Sequence, residues 1–160
     1  MKQLFIIVLT AGLIACNQQA ETEEAQGAWI TGSKTEMIMT IENQFGGFDP
    51  AMVEIGYRYQ ELYWAGQDEN WEYAGHQVEH IQIALENGLQ RRPERAKSAE
   101  HFQNDVLPGM ENAITGENVE EFTRNFNLLT TACNSCHTLE DVPFFNVMTP
   151  AQRHSVIRKQ

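Results

Sequence analysis

The feature of this sequence that most constrains its fold is a spacing of three and four residues between apolar side chains, which recurs in four successive segments. Residues spaced in this way return to one side of an α-helix, so each segment predicts an amphipathic helix. Few segments alternate between apolar and polar residues as half-buried strands do. We therefore expect an all-α fold, a four-helix bundle. The apolar stripes are Met52, Ile55, Tyr59 and Leu62; Trp71, Ala74, Val78, Ile81 and Leu85; Ala96, Ala99, Phe102, Val106, Met110 and Ala113; and Val119, Phe122, Phe126, Leu129, Cys133 and Cys136.

Polar residues that commonly cap helices precede three of these stripes. Asp49, followed by Pro50, predicts the start of the first helix, with the aspartate as N-cap and the proline at the first helical position. Asp68 is the expected cap of the second helix. Asn118, with Glu121 three residues later, resembles a capping box at the start of the fourth helix.

Glycine and proline mark the predicted ends and interruptions of the helices. Gly66 is expected to end the first of the four helices, and Pro108-Gly109 is expected to kink or split the third. A short helix over Lys34 to Gln44 precedes the four stripes. The segment after Leu139 contains two prolines and is expected to be irregular. The predicted folded domain therefore spans residues 34–160, with an irregular C-terminal tail.

The stripe of the fourth helix ends in Cys133-Asn134-Ser135-Cys136-His137. The spacing C-x-x-C-H is the attachment signature of c-type haem. On a helix, Cys133, Cys136 and His137 share one face. Two thiols can then reach the two vinyl groups on one porphyrin edge, and the imidazole can reach the iron from the same side. The motif predicts one covalently attached haem c near the C-terminal end of the bundle, with His137 as the proximal iron ligand.

Three other interpretations of this motif stay open. A thioredoxin-like dithiol would place the cysteine pair at a helix N-terminus, where the helix dipole lowers the thiol pKa, whereas this pair lies near the end of a helix. A zinc site would need further ligands, and the sequence offers only scattered histidines. A disulfide between Cys133 and Cys136 would close a very small loop and constrain the chain little.

The N-terminus has the pattern of an export signal. Residues 1–15 combine a short positive start with an apolar run that is too short to cross a bilayer core of about 30 Å. The run ends in Leu13-Ile14-Ala15-Cys16, which resembles the lipobox of bacterial lipoproteins. That resemblance implies lipidation of Cys16, and Asn17 directly after it implies sorting towards the outer membrane. Residues 16–33 would form the lipidated start and a flexible tether. An ordinary signal peptide with a chance cysteine is the alternative.

The charge balance excludes one class of partner. Lys and Arg total 11 against 22 Asp and Glu, so the formal net charge is -11. Removal of residues 1–15, in which Lys2 is the only charged side chain, would make it -12. A surface of this sign repels phosphate backbones, so nucleic acid is not an expected partner. It favours basic partners, and association with them should weaken as salt rises.

A bundle with one C-x-x-C-H motif near its C-terminal end resembles the class II c-type cytochromes, the group of cytochrome c prime and its six-coordinate relatives. The resemblance covers roughly residues 48–140, and it implies a four-helix fold, haem on Cys133, Cys136 and His137, and in many members a homodimer. The segment Glu61 to Gly66 followed by Asn70-Trp71 is also similar to exported bacterial haem-c proteins. Cytochrome c prime proteins commonly carry a basic residue shortly after the haem histidine. Here residues 138–141 are acidic, which points to the broader group.

The resemblance also implies where a sixth iron ligand would come from. In six-coordinate members this ligand is a methionine of the first helix, and Met52 is the best match here. The alternative is that Met52 simply fills the core. With no side chain on that side, the iron would be five-coordinate and open to a small gas such as NO or CO.

A second pair of potential ligands lies on the second helix. His76, Glu79 and His80 spell H-x-x-E-H, which resembles the inverzincin zinc motif. The two histidines share a face of the helix but lie off its apolar stripe. A solvated or interface pair of histidines is the expected interpretation, with a weak metal site or a distal haem role for His80 as alternatives.

Together these observations predict a monohaem c-type cytochrome that carries one electron in the bacterial envelope, tethered to the membrane by lipid, with its domain in the periplasm or at the cell surface. No paired carboxylates, Ser–His arrangement or Gly-rich phosphate loop stands out, so an enzyme is not expected. A five-coordinate gas-binding haem protein is the first alternative. A haem-free metal-binding or adhesion lipoprotein is the second.

Overall fold

The computed structural model describes residues 27–159 of the chain. The predicted signal peptide, the lipidation residue Cys16 and the first part of the predicted tether lie outside the described residues. The chain divides into two units, residues 1–41 and 42–160. Helix α1 (Lys34–Phe45) begins in the first unit, and its last four residues belong to the second unit. Ser33 and Glu36 cap this helix reciprocally: the Ser33 N–H donates to the Glu36 carboxylate at 2.8 Å, and the Glu36 N–H donates to the serine hydroxyl at 3.3 Å.

The second unit is helical, and no strand occurs between residues 27 and 159. The prediction of an all-α chain is therefore confirmed, and the arrangement is compatible with a helical bundle. Helix α2 (Asp49–Gln67) packs along α3 (Trp71–Arg91), while α6 (Val119–Leu139) contacts α2 and the third helical segment, residues 93–115. The helices of this unit are α2 (Asp49–Gln67), α3 (Trp71–Arg91), α4 (Ala96–His101), α5 (Leu107–Thr115) and α6 (Val119–Leu139).

One apolar core lies between these helices. Most of the predicted stripe residues are buried there, which confirms the helical spacing. The stripe residues Ala96 and Val119 are exposed, and each is the first residue of its helix. The largest fully buried side chains include Leu62 of α2, Ile81 of α3, Met110 of α5, and Phe122, Phe126 and Leu129 of α6.

Two buried polar side chains lie between α2 and α3. The Tyr73 hydroxyl donates to the Glu61 carboxylate at 2.8 Å, and an Arg58 guanidinium N–H donates to the side-chain carbonyl of Gln77 at 3.3 Å. Glu61 and Gln77 are both buried. A buried polar group that lost such a partner would cost free energy, so these pairs favour one alignment of the two helices.

Two of the predicted helix caps are wrong, and one is confirmed. Asp49 lies within the first turn of α2, after Phe48, which makes no side-chain capping bond. Asn70, not Asp68, caps α3, and its side chain accepts from the Tyr73 N–H at 3.4 Å. Asp68 is instead engaged by an arginine from the tail. Asn118 caps α6 as expected and accepts from the Glu121 N–H at 2.9 Å.

The capping box at α6 is only half formed. The carboxylate of Glu121 pairs with Arg124 one turn along the helix and does not return to the backbone N–H of Asn118. Arg124 lies three residues after Glu121 on the same helix, so it competes with the Asn118 N–H for the Glu121 carboxylate. The capping-box pattern takes no account of this competition.

The third helical segment is split, but earlier than predicted. A single 3₁₀ turn (Pro93–Arg95) leads into α4, and a π-helical turn (Phe102–Val106) joins α4 to α5. Pro108 lies at the start of α5. Proline has no N–H to donate and its ring crowds the carbonyl four residues earlier, so the irregularity appears in the preceding turn. The π turn keeps both Phe102 and Val106 buried.

Gly66 has a packing role that its predicted role as a helix end did not capture. The helix ends at Gln67, and Gly66 is buried in its last turn. A Cβ at this position would lie 2.0 Å from a ring carbon of Phe122. Glycine therefore permits the close approach of α2 to the phenylalanine of α6.

The tail after α6 has no regular secondary structure, as predicted, yet it is fastened to the helices. The Arg153 guanidinium donates two hydrogen bonds to the Asp68 carboxylate, at 2.6 and 3.1 Å, and one to the Trp64 carbonyl at 3.0 Å. It also lies over the Trp64 ring, 5.0 Å from its centroid. Within residues 27–159, no helix combines the length and apolar character needed to cross a membrane.

Candidate functional site

The two cysteines and the histidine of the C-x-x-C-H motif line one cavity. The motif occupies the last two turns of α6, where spacings of three and four residues place Cys133, Cys136 and His137 on one face. All three line a cavity of about 450 Å³. That volume lies within the range of about 300–1,000 Å³ typical of small-molecule and cofactor sites.

Four other parts of the second unit complete the lining of the cavity. Helix α2 contributes one wall and the third helical segment another, the irregular tail adds a further group of lining residues, and α3 contributes Leu85. Most of the lining side chains are apolar, as is common for small-molecule and cofactor sites. The walls are formed by Phe48, Met52, Val53, Ile55, Gly56 and Tyr59; by Ala99 and Phe102; and by Val142, Phe145 and Val147.

Both motif cysteines are free thiols that resist ionisation. Burial raises the pKa of Cys133 to about 12, and the neighbouring Cys136 adds to this shift. Burial also raises the pKa of Cys136, against a hydrogen bond from Ser98 that lowers it. A reactive dithiol needs the opposite shift, towards the thiolate. The site is therefore unlike a thioredoxin-type pair, and no disulfide joins the two residues.

The imidazole of His137 is oriented by the tail. Its Nδ1 lies 2.5 Å from the backbone carbonyl oxygen of Phe145. A carbonyl can only accept, so the neutral form of this imidazole carries its proton on Nδ1 and keeps the lone pair of Nε2. The ring of Phe145 also meets the imidazole edge-on, with centroids 6.3 Å apart. The free nitrogen is thus the one available for a metal ion.

A small polar group lies at the edge of the cavity. The Arg95 guanidinium is 3.4 Å from the Glu140 carboxylate, and the Ser98 hydroxyl also bonds to that carboxylate. Arg95 further lies over the Phe48 ring, 5.1 Å from its centroid. Arg95 is the one Lys or Arg among the described residues that line the cavity.

Tyr59 places a neutral hydroxyl beside the motif. Its hydroxyl and that of Thr130 are 2.7 Å apart, and burial raises the pKa of Tyr59 to about 12. The ring packs against Phe126, with centroids 4.7 Å apart. The tyrosine therefore adds a hydrogen-bonding group to the wall without adding charge.

Met52, the predicted sixth ligand, lies in the cavity wall on α2 and is half-buried. It packs against the edge of the core. The structure thus brings it to the same cavity as Cys133, Cys136 and His137, on a different helix. This position is compatible with the predicted role as a sixth ligand, and it is equally compatible with a methionine that only fills space in the cavity wall.

His76 and His80 do not line this cavity. They lie on α3 with ring centroids 4.2 Å apart, and His76 stacks near Tyr73. Between residues 27 and 159, no three side chains of the His, Cys, Asp and Glu types come together as a metal site would require. The H-x-x-E-H spacing is therefore not accompanied by a third ligand in that part of the chain.

The residues that sequence reasoning missed are those brought in from outside the motif. Arg95 and Glu140 are separated by 45 positions in the sequence and meet only through the fold. The partner of His137 at Phe145 is a backbone carbonyl, which every residue type has, so the residue types in the sequence did not predict this contact. Asn134 was readable as part of the motif, but its hydrogen bonds to the tail were not.

Comparison of the chain with protein-family models, with curated proteins and with solved structures found no match.

Proposed function

We propose that this protein is a monohaem c-type cytochrome that carries one electron at a time. The observation that supports this most strongly is the opening of both motif thiols and the motif imidazole into one apolar cavity. A lone C-x-x-C-H motif is a short pattern, and a cavity of suitable size at its face is independent support for it.

The residues around the cavity fit a covalently bound haem. Cys133 and Cys136 would form the thioether bonds, and His137 would bind the iron through Nε2. Arg95 would pair with a haem carboxylate, since it is the cation of the cavity wall. Bound haem iron supplies one-electron redox chemistry, and the burial and polarity around it set the potential.

The chain itself would contribute orientation, burial and charge. The Phe145 carbonyl fixes the imidazole tautomer, and the apolar walls, including Phe102, exclude water from the iron. The acidic surface would steer basic redox partners towards the protein. We propose that lipid on Cys16 anchors the domain to the outer membrane through a flexible tether, and that a homodimer is compatible with the function.

The first experiment is to produce the chain in cells that attach haem c. Covalent haem should be detected by in-gel peroxidase stain, by the mass gain of one haem, and by a pyridine haemochrome spectrum of the two-thioether type. Cys133→Ser and Cys136→Ser should each lose one thioether. Cys16→Ser, a cysteine outside the motif, should keep the haem and lose only the lipid. Colourless wild-type protein would contradict the proposal.

Met52 is proposed as the sixth ligand of the iron. Met52→Ala should convert a low-spin six-coordinate spectrum into a high-spin one and allow rapid binding of CO. Val53→Ala is the matched control, since it changes the adjacent residue of the same cavity wall but removes no potential ligand. An identical spectrum for Met52→Ala and wild type would remove Met52 from the site. A high-spin wild-type protein that binds CO rapidly would favour the gas-binding alternative.

A further inference from the structure

Asn134, the first residue between the two motif cysteines, holds the tail of the protein with two hydrogen bonds. Its side-chain carbonyl accepts from the Val147 N–H at 2.8 Å, and its side-chain amide donates to the Val147 carbonyl at 2.9 Å. Both polar groups of one side chain are thus paired with both polar groups of one backbone residue. Such a pairing fixes the position and the orientation of the tail at Val147.

The segment fastened in this way contains the partner of His137. A turn begins where the Val142 N–H donates to the His137 carbonyl at 2.8 Å, and it continues with a bond of 3.1 Å from the Phe145 N–H to the Val142 carbonyl. Asn134 fastens the far side of this turn, two residues beyond Phe145. The carbonyl that meets the imidazole is therefore held from both sides.

Within residues 27–159, the side chain of Asn134 makes only these two hydrogen bonds. It lies one turn before His137 on α6, and both residues reach the tail. The second intervening residue, Ser135, bonds only to the Thr131 carbonyl of its own helix, at 3.0 Å. Of the two residues between the cysteines, Asn134 therefore bonds to the tail, whereas Ser135 bonds only within its own helix.

We propose that Asn134 is a positioning residue for the proximal histidine. By fastening Val147, it keeps the Phe145 carbonyl against Nδ1 of His137, which holds the imidazole in one tautomer and makes Nε2 a stronger donor to iron. The effect on iron rests on the proposed function. The effect on the tautomer does not, because it concerns only this chain.

The variants follow from the geometry. Asn134→Ala removes both bonds to Val147. Asn134→Asp keeps an acceptor for the Val147 N–H but turns a carboxylate oxygen towards the Val147 carbonyl, so it should loosen the tail while preserving the shape of the side chain. Ser135→Ala is the matched control, because it changes a neighbouring motif residue that does not reach the tail. Circular dichroism would establish that each variant keeps its helices.

The first measurement uses the full chain made without haem. Nitrogen-15 NMR of the histidine rings should show His137 with its proton on Nδ1 in wild type and in Ser135→Ala. In Asn134→Ala and Asn134→Asp it should show a mixture in which Nε2–H is substantially populated. An unchanged Nδ1–H tautomer in both Asn134 variants would overturn the proposal, whether or not the chain ever carries haem.

The second measurement uses the haem-loaded protein. Loss of the carbonyl contact weakens donation from the imidazole, so the ferrous state becomes relatively more stable. The midpoint potential should move upwards in Asn134→Ala and Asn134→Asp and stay at the wild-type value in Ser135→Ala. Equal potentials in all four proteins would refute the role at the iron. A chain that takes up no haem would instead refute the proposed function, with the tautomer measurement still deciding the role of Asn134.

Discussion

At the scale of single residues, Gly66 shows how one missing side chain sets the distance between two helices. The Phe122 ring occupies the space that a Cβ on Gly66 would need. Phe122 is itself fully buried and contacts Trp71 and Phe126, so it has little freedom to move aside.

Gly66→Ala should therefore destabilise the protein. Overpacking of a core costs about 1–3 kcal/mol, which exceeds the gain of up to about 1 kcal/mol from replacing a helical glycine with alanine. Urea unfolding followed by circular dichroism would measure the change in the free energy of unfolding. Gly75→Ala on α3 is the control, because the nearest atom to its added Cβ is 3.9 Å away. That variant should gain stability, and a gain for Gly66→Ala as well would contradict the packing argument.

The candidate site also shows which residues a sequence can reveal. Cys133, Cys136 and His137 were predictable, because a helix brings positions i, i+3 and i+4 together without help from the rest of the fold. The family resemblance and its position on the apolar stripe pointed to Met52, which lines the cavity, while its role as an iron ligand stays a prediction. Arg95 and the Phe145 carbonyl were not predictable, since each reaches the cavity through long-range packing that leaves no local pattern.

At the scale of elements, the helices were predicted better than the links between them. Burial of an apolar stripe is a property of each helix, so the spacing alone located α2, α3 and α6. Capping depends on which of several polar side chains accepts hydrogen bonds from the unpaired N–H groups of the first helical turn. Asp68 has the right chemistry for a cap of α3, but an arginine 85 positions later engages it, and Asn70 takes the role instead.

The link between Asp68 and Arg153 predicts a dependence of stability on acid. The hydrogen bonds from Arg153 lower the pKa of Asp68 from its ordinary value of 3.8, so the folded state binds fewer protons than the unfolded state in that range. The stabilisation is complete above the unfolded value and is lost as the pH falls through the lowered folded value.

Urea unfolding of wild type and Asp68→Asn between pH 7 and pH 3 would test this dependence. At neutral pH the wild type should be the more stable protein, and the difference should shrink as the pH falls below the ordinary value of 3.8. The other carboxylates are common to both proteins and cancel in the comparison. A difference that stays constant over this pH range would show that the charge of Asp68 does not hold the tail.

At the scale of the whole molecule, charge rather than shape should govern encounters. The formal net charge of -11 belongs to the whole chain, whereas the cavity is lined by only a small part of it. Long-range forces between charges fall off over a Debye length of about 10 Å at 0.1 M salt. Encounter rates with charged partners should therefore respond strongly to ionic strength.

This expectation can be tested without knowing the natural partner. The reduced, haem-loaded protein would be oxidised by a cationic cobalt(III) complex and by anionic ferricyanide over a range of salt concentrations. Rising salt should slow the first reaction and accelerate the second, because it screens an attraction in one case and a repulsion in the other. Equal responses to salt would mean that the surface near the site of electron transfer is not acidic.

The position of the tail in the chain has a consequence for assembly. The helices that line the cavity are complete by Leu139, and the rest of its lining comes from residues that are translated afterwards. In the proposed cytochrome, haem could thus be attached to the cysteines while the side of the cavity formed by the tail is still open. The tail would then fold over the haem, and the helices would not have to separate to admit it.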